Sequence, residues 1–317
     1  MQLFHSLLKH GSALFAKGKL SILIYHQVLE QPDNMRPTEP DAAVFRWQMS
    51  LVKRYFTPLS LTDAIQHLKN NTLPSNAICV TFDDGYENNL TVAQPILNEL
   101  GIPATVYVAT GFSQGENMFN DRIIDLIGDL ANSQIDLTSI RQGVVALDSW
   151  QARRATATSV INAVKYLPIE QRKQLINQLY QDNGKTEYPA RMMSAEQVAE
   201  LSALGVEIGA HTVEHPILKS LSIEQQQWQI EHSQHELEAW IKKPVNHFAY
   251  PNGKFGADYS LDTVKCVKSC NFHSAVTTHR GISQSGSDLF QLNRFTPWDK
   301  SPLKFHLRLV RNQLGLL

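Results

Sequence analysis

Two pairs of residues in this chain have types and spacing suited to hydrolytic chemistry. The first is Asp83–Asp84, in "AICVTFDDG" (77–85). Neighbouring carboxylates repel, and each makes the other harder to ionise. A solvated turn tolerates that, but the end of a buried apolar strand calls for a compensating cation. The second pair is His211 and His215, in "GAHTVEHP" (209–216). Four residues apart, two imidazoles share one face of a helical turn, which is why this spacing recurs in metal sites. Alone it is weak evidence. The chain has 12 histidines, and His232 and His235 form another close pair that reads as a wet helix face. Position adds weight: His211, like Asp84, ends an apolar run. Two histidines and one carboxylate around a cation leave a coordination position open, the arrangement of hydrolytic zinc. The plain alternative for the two aspartates is a tight turn at a strand end.

Such residues need elements that bring them to one place. β-rich runs recur at 21–28, 77–84, 104–110, 206–212, 246–251, 272–278 and 290–296. Several are continuously apolar, as strands buried on both faces are. Helical segments separate most of them. "SLTDAIQHLKN" opens on Ser60 with Asp63 three residues on, "SAEQVAELSALG" pairs Ser194 with Gln197, and "SIEQQQWQIEH" pairs Ser222 with Gln225. These are capping-box spacings or a close variant. Strand and helix in alternation argue for a parallel sheet with helices outside it. In a barrel of that kind the strand C-termini meet at one rim, where active sites sit. The stretch from about 113 to 193 is polar and helix-prone, and reads as a helical insertion in a single domain spanning 1–317.

Length and composition set the remaining bounds. A chain of 317 residues carries a soft prior of about two domains, but α/β barrels often run this long as one. Net charge is −1 and charged residues make up 19%, which excludes the strongly basic nucleic-acid binders and disordered chains. Of three cysteines, Cys79 reads as a core residue within an apolar strand. Cys266 and Cys270, four apart, lack the companions of a zinc ribbon. No run reaches about 18 apolar residues, so no membrane-spanning helix is expected. The N-terminus lacks the apolar region and cleavage site of a secretory signal. A cytoplasmic location is therefore expected. Leu3, Phe4, Leu7, Leu8 and Leu14 fall at helical spacing beside Lys9, Lys17 and Lys19, and "LKFHLRLVRNQLGLL" at the C-terminus is similar. Such amphipathic helices either pack on the barrel or touch a membrane surface.

"TFDDG" followed by "HTVEH" resembles the first two motifs of the polysaccharide deacetylase family (carbohydrate esterase family 4, the NodB homology domain). Five consecutive residues match the first motif, the H-[ST]-x-x-H of the second is complete, and the resemblance spans roughly 20–300. It implies a deformed (β/α)7 barrel related to the TIM barrel, in agreement with the seven runs counted above. It also implies a divalent metal (zinc first, with cobalt, manganese or nickel as alternatives) and hydrolysis of acetyl groups on sugars, most often the N-acetyl of a hexosamine. Asp84, His211 and His215 match the family's metal ligands, and Asp83 matches its general base.

The third motif departs from the family pattern. Most members read R-x-P-x-G; here 249–253 is "AYPNG", with Ala249 at the arginine position. The Tyr-Pro-x-Gly form resembles a branch related to exopolysaccharide deacetylases. Pro251 has no N–H, so the Asn252 N–H is the candidate oxyanion donor; an ordinary Pro-Asn-Gly turn is the plain alternative. Arg294, in "QLNRFTP", lies where this branch tends to carry an arginine. An arginine inside an apolar strand needs a carboxylate partner, and Asp83 is the candidate.

The general acid is the least determined role. The family's late L-x-H motif is absent in that form, and His306 in "LKFHL" falls in a helical segment. Ile24-Tyr25-His26 in the first run resembles the motif moved to the front, so His26 is the expected acid and His279 the next candidate. Alternation along a strand then turns Tyr25 away from the site. The expected activity is a metal-dependent glycan deacetylase acting on a polysaccharide or a lipid-linked precursor. An O-acetyl esterase, a non-catalytic glycan-binding barrel and a metal-dependent phosphoesterase are the alternatives.

Overall fold

The computed structural model describes residues 16–316. Its strands in chain order are β1 (Lys19–Tyr25), β2 (Thr57–Pro58), β3 (Ala77–Phe82), β4 (Ala104–Val108), β5 (Gln134–Asp136), β6 (Val144–Ala146), β7 (Glu207–Ala210), β8 (His247–Ala249), β9 (Ser274–Val276) and β10 (Ser283–Gln284). Six of them, β1-β3-β4-β7-β8-β9, form a continuous parallel wall in that order. The last predicted run supplies a seventh stave without becoming a full strand. Leu292 bridges Val276 of β9, and Phe295 bridges Leu23 of β1, both in parallel. The Phe295 N–H donates to Ile22 O at 3.0 Å, and the Ile24 N–H donates to Phe295 O at 3.1 Å. These contacts join β9 to β1. The result is a deformed (β/α)7 barrel. The short β2 runs beside the start of β3, and β10 pairs antiparallel with the start of β1.

The continuous apolar runs are explained by two buried layers. Along β3, Ile78, Val80 and Phe82 face the outer layer, where they pack with Phe45, Leu97, Ile230 and other helix residues. Ala77 and Cys79 face inward with Leu20, Ile22, Tyr107, Ala249, Val276 and Leu292. Leu61, Ala64, Ile65 and Leu68 of the helix Leu61–Asn70 join that inner cluster. The Glu207 carboxylate, at the first residue of β7, accepts from the Leu61 and Thr62 N–H groups at 3.0 and 3.2 Å. Negative charge at a helix N-terminus is favourable, and the contact sets this helix across the N-terminal end of the barrel. The opposite, C-terminal rim stays free for chemistry. The capping boxes at Ser194/Gln197 and Ser222/Gln225 are formed, and Ser60 accepts from the Asp63 N–H.

Residues 115–191 together with 33–37 form a second compact unit. Its helices Phe119–Gly128, Trp150–Val164 and Ile169–Asp182 gather Ile123, Leu126, Val160, Ile176 and Leu179 into their own core. The unit also contains the antiparallel hairpin β5–β6, which the helical reading of this stretch did not foresee. Cys79, Cys266 and Cys270 are free and buried. The C-terminal helix Pro302–Leu314 turns Phe305, Leu309 and Val310 into the barrel's outer layer, so its apolar face is occupied by packing. The N-terminal amphipathic segment expected over Leu3–Leu14 lies outside the described residues. Among those described, no helix is long and apolar enough to cross a membrane.

Candidate active site

Alternation along β3 continues past its last ladder residue and carries Asp83 to the inner side after Ala77, Cys79 and Thr81. Asp84 then breaks the alternation. It has φ +75° and Gly85 has φ +89°, a left-handed turn that holds the second carboxylate at the rim. A side chain at position 85 would place its Cβ 2.9 Å from Val108 Cγ1, so the turn closes against the end of β4 only with glycine there.

His211 follows β7 on the inner side. Its Nδ1 lies 2.7 Å from Ala249 O. A carbonyl can only accept, so Nδ1 carries the proton and Nε2 presents a lone pair. His215 reaches the same place by a route the helical-turn spacing did not anticipate. Residues 211–215 form no helix. Thr212 and His215 have φ +67° and +50°, and the His215 N–H donates to Thr212 Oγ1 at 3.1 Å. Gln229, on the helix Ile223–Ile241, accepts through Oε1 from the Val213 and Glu214 N–H groups at 3.1 and 3.0 Å. This pinned loop sets the two imidazole centroids 4.8 Å apart. Each Nε2 is then 3.5 Å from Asp84 Oδ1.

Three ligand atoms, one each from Asp84, His211 and His215, lie within 4.8 Å of one another. Asp84 Oδ1 is buried and has no hydrogen-bond partner. A buried carboxylate oxygen in that state is costly. Each imidazole Nε2 stands 3.5 Å from it, beyond a good hydrogen bond, and a divalent cation satisfies all three donors at once. The residues therefore fit a metal of the zinc type, with coordination positions left open. Burial opposes the charge on Asp84, but His211, His215 and His26 outweigh it and hold the carboxyl well below its usual range. Burial pushes His215 down to about 4, against the pull of Asp84. Both groups are thus in their ligating forms at neutral pH.

Asp83 is held separately. Arg294 donates to both of its oxygens, at 2.7 Å each. The guanidinium also donates to Thr277 O at 2.9 Å and to Thr81 Oγ1 at 3.2 Å, and it lies 5.6 Å over the Tyr107 ring. Arg294 is fully buried. Burial disfavours the charged form of Asp83, but Arg294, then His211 and His26, prevail, and its pKa lies below the ordinary carboxylate value.

His26 follows β1 with the parity of the inward-facing Leu20 and Ile22. Tyr25 points outward, donating to Gln48 Oε1 at 3.0 Å and packing on Phe45 and Phe82. His26 is half-buried. Burial lowers its pKa, but the charges of Asp84, Asp83 and Glu39 outweigh that and raise it overall. Asn252 follows β8 in the left-handed region, φ +58°, and its carbonyl accepts from the Thr278 hydroxyl at 2.7 Å. His279 is exposed, and its carbonyl accepts the Arg294 N–H at 2.9 Å. His306 lies elsewhere, its ring tilted against Tyr55 and edge-on to Phe56 in the outer layer. Sequence reasoning missed Tyr107, the floor under Arg294. Its inward parity in "ATVYVAT" was the available signal.

Comparison with known proteins agrees with this geometry. The family model for polysaccharide deacetylase matches residues 70–275. YxkH of Bacillus subtilis (strain 168), which carries the polysaccharide deacetylase name, is 20% identical over 278 residues, 87% of this chain and 71% of that protein. Among solved structures, the Streptococcus pyogenes deacetylase PplD in complex with acetate superposes with a TM-score of 0.62 at 21% identity, covering 92% of this chain and 98% of that one. IcaB from Ammonifex degensii gives 0.61 at 17% identity, covering 93% and 97%. BC0361, a polysaccharide deacetylase from Bacillus cereus, gives 0.56 at 18% identity, covering 92% and 69%. The chain belongs to the polysaccharide deacetylase family.

Proposed function

We propose that this deacetylase removes the N-acetyl group of a hexosamine within a polysaccharide or glycan precursor, with a divalent metal held by Asp84, His211 and His215. The observation that carries the reading is the buried, unpartnered Asp84 Oδ1 facing two imidazole nitrogens, beside a second aspartate already neutralised by Arg294. The metal, zinc first, supplies Lewis acidity, polarising the acetyl carbonyl and lowering the pKa of water at the site.

Asp83 is the general base. Arg294 keeps it ionised and fixes its plane, at some cost in basicity. Each of its oxygens accepts one bond from Arg294 and retains a lone pair for the attacking water. The proton passes to Asp83 as the water oxygen bonds the acetyl carbon. The Asn252 N–H donates to the developing oxyanion. His26, beyond the end of β1 on the inner side, gives a proton to the sugar nitrogen as the C–N bond breaks. The products are acetate and a free amine. Acetate bound to PplD is in keeping with that product.

Acetate release by metal-loaded protein tests the reading on N-acetylhexosamine oligomers, lipid-linked glycans and O-acetylated sugars. Release from N-acetyl substrates is expected. The variant His211→Ala should lose metal and activity together, with metal affinity down by at least roughly 10–100-fold. Release from O-acetyl sugars alone would make the protein an esterase. Release from none, by protein that retains no metal, would make it a binding barrel.

A further inference from the structure

The β1–β3 ladder pairs Tyr25 with Phe82 as its last register. His26 therefore sits one residue beyond the ladder; the peptide before it is still held, the Asp83 N–H donating to Tyr25 O at 2.9 Å. The His26 carbonyl is taken by Asn89, whose Nδ2 donates to His26 O at 2.9 Å. The preceding residue adds two contacts. Asn88 Oδ1 accepts from the Val28 N–H at 3.3 Å, and Asn88 Nδ2 donates to Gln27 Oε1 at 3.2 Å. Both asparagines stand in "DDGYENN", five residues past Asp83 and Asp84.

The local backbone is unusual. Residues Asn89–Ala93 form a π-helical turn, a rare feature that is frequent at functional sites. Asn89 is 1% exposed, and its Oδ1 has no hydrogen-bond partner. A buried unsatisfied acceptor is destabilising. An apolar side chain would remove that orphan but would leave the His26 carbonyl without its donor, so the amide is not explained by filling the core. The bond to His26 explains it.

We propose that Asn89, seconded by Asn88, is a positioning residue that holds His26 in line for proton transfer. One loop then supplies the base, a metal ligand and the clamp on the acid. The proposal rests on the reading of His26 as the acid. A misplacement of about 1 Å at a reacting group costs up to about 10²-fold in rate. Proton donation is needed by an amine leaving group and not by an activated phenolate, so a loosened acid should damage amide hydrolysis selectively.

The test compares Asn89→Ala, Asn88→Ala and His26→Ala on an N-acetylglucosamine oligomer and on 4-nitrophenyl acetate, with metal content and unfolding midpoint measured beside them. Asn89→Ala should lower kcat on the amide by roughly 10–100-fold, with KM, metal content and ester hydrolysis little changed. Added to His26→Ala, it should not move the amide-to-ester ratio further. Equal loss on both substrates, or full additivity with His26→Ala, overturns the clamp while leaving His26 as acid. If His26→Ala itself loses both activities equally, the acid assignment fails and the proposal with it. Should Asn89→Ala not fold, the half-buried Asn88→Ala carries the same readout, with a smaller selective loss expected and an equal loss on both substrates counting against the clamp.

Discussion

Among the described residues, the buried arginines Arg294 and Arg36 each hold carboxylates, and of these two only Arg294 lies beside the candidate active site. In the barrel, Arg294 binds Asp83 through both oxygens and spends its remaining donors on Thr277 and Thr81. In the inserted unit, Arg36 reaches Asp121 at 2.7 Å, Asp125 at 2.8 Å and Asp33 at 3.0 Å. Arg191 reaches Asp125 from the other side at 2.8 Å. Distances are alike, and Arg36, Asp121 and Asp125 are buried as Arg294 and Asp83 are, although Asp33 and Arg191 are partly exposed. What differs is the atom each cluster leaves over. The Arg36 knot leaves a donor, its Nε; the barrel leaves an acceptor, Asp84 Oδ1. An unfilled donor asks for water or a carbonyl, and an unfilled carboxylate oxygen between two imidazoles asks for a cation. A buried ion pair by itself is weak evidence of function. The orphaned acceptor beside it is the informative feature.

The largest expected effect tests that distinction directly. Asp83→Asn should lower acetate release by roughly 10²–10⁴-fold, the usual worth of a general base, while metal analysis finds the metal retained. Asp125→Asn removes a comparably buried carboxylate and should leave kcat close to the parent value. Loss of metal from Asp83→Asn would exchange the roles of Asp83 and Asp84. A comparable fall in rate for Asp125→Asn would abolish the contrast between the clusters.

The second expectation concerns stability. Removing one partner of a buried pair costs about 3–5 kcal/mol, because the other is left charged and unpaired. Arg294→Met and Arg36→Met should each show a loss of that size in denaturant unfolding, but only Arg294→Met should remove activity. The pH dependence separates them further. Burial raises the Asp83 pKa and Arg294 more than reverses it, so the folded value lies below the unfolded one. The pair's stabilisation is therefore complete above about pH 4, the ordinary carboxylate range, and is lost as the pH falls through the lowered folded value. In Arg294→Met burial loses its main opponent, the folded Asp83 pKa rises, and the acid loss of stability from this group should flatten or invert, with protonation of Asp83 now favouring the folded state. An unchanged profile would mean Arg294 does not set the charge state of Asp83.

Much of this arrangement was legible in the residues, for reasons that differ from site to site. The staves were readable because burial on both faces makes "AICVTF" apolar without a break. Even the run at 290–296 was placed correctly, although only two bridges hold it. Arg294 was readable as an inward arginine because an arginine within an apolar run needs a carboxylate partner, the plain alternative being an outward-facing surface arginine. His211 and His215 were rightly paired on a mistaken ground: a left-handed loop pinned by Gln229 brings them together, and no helix does. Positive φ at Thr212 and His215 has no sequence signal, since neither residue is glycine. The β5–β6 hairpin was missed because three-residue strands show no periodicity. The link from Asn89 to His26 spans 63 positions, and no local pattern encodes it.

The smallest expected effect compares two glycines, one under each arginine's region. At Gly209, on β7, an added Cβ would sit 2.4 and 2.5 Å from two ring carbons of Tyr107 and 3.0 Å from His247 O. The ring is enclosed, and Arg294 lies across its face. It cannot retreat without moving the guanidinium that orients Asp83. At Gly128, the last residue of the helix Phe119–Gly128, the same Cβ would meet Met35 Cγ at 2.8 Å. Methionine is unbranched and adapts, and alanine gains about 0.5–1 kcal/mol over glycine in a helix. Gly209→Ala should therefore cost about 1–3 kcal/mol, the range for overpacking a tight core, and lower kcat with it. Gly128→Ala should stay within about 1 kcal/mol of the parent and leave kcat unchanged. Unfolding midpoints and acetate release on the two variants decide it. Equal and small effects at both positions would mean that the floor beneath Arg294 yields as readily as methionine does, and that Tyr107 has no part in aligning Asp83.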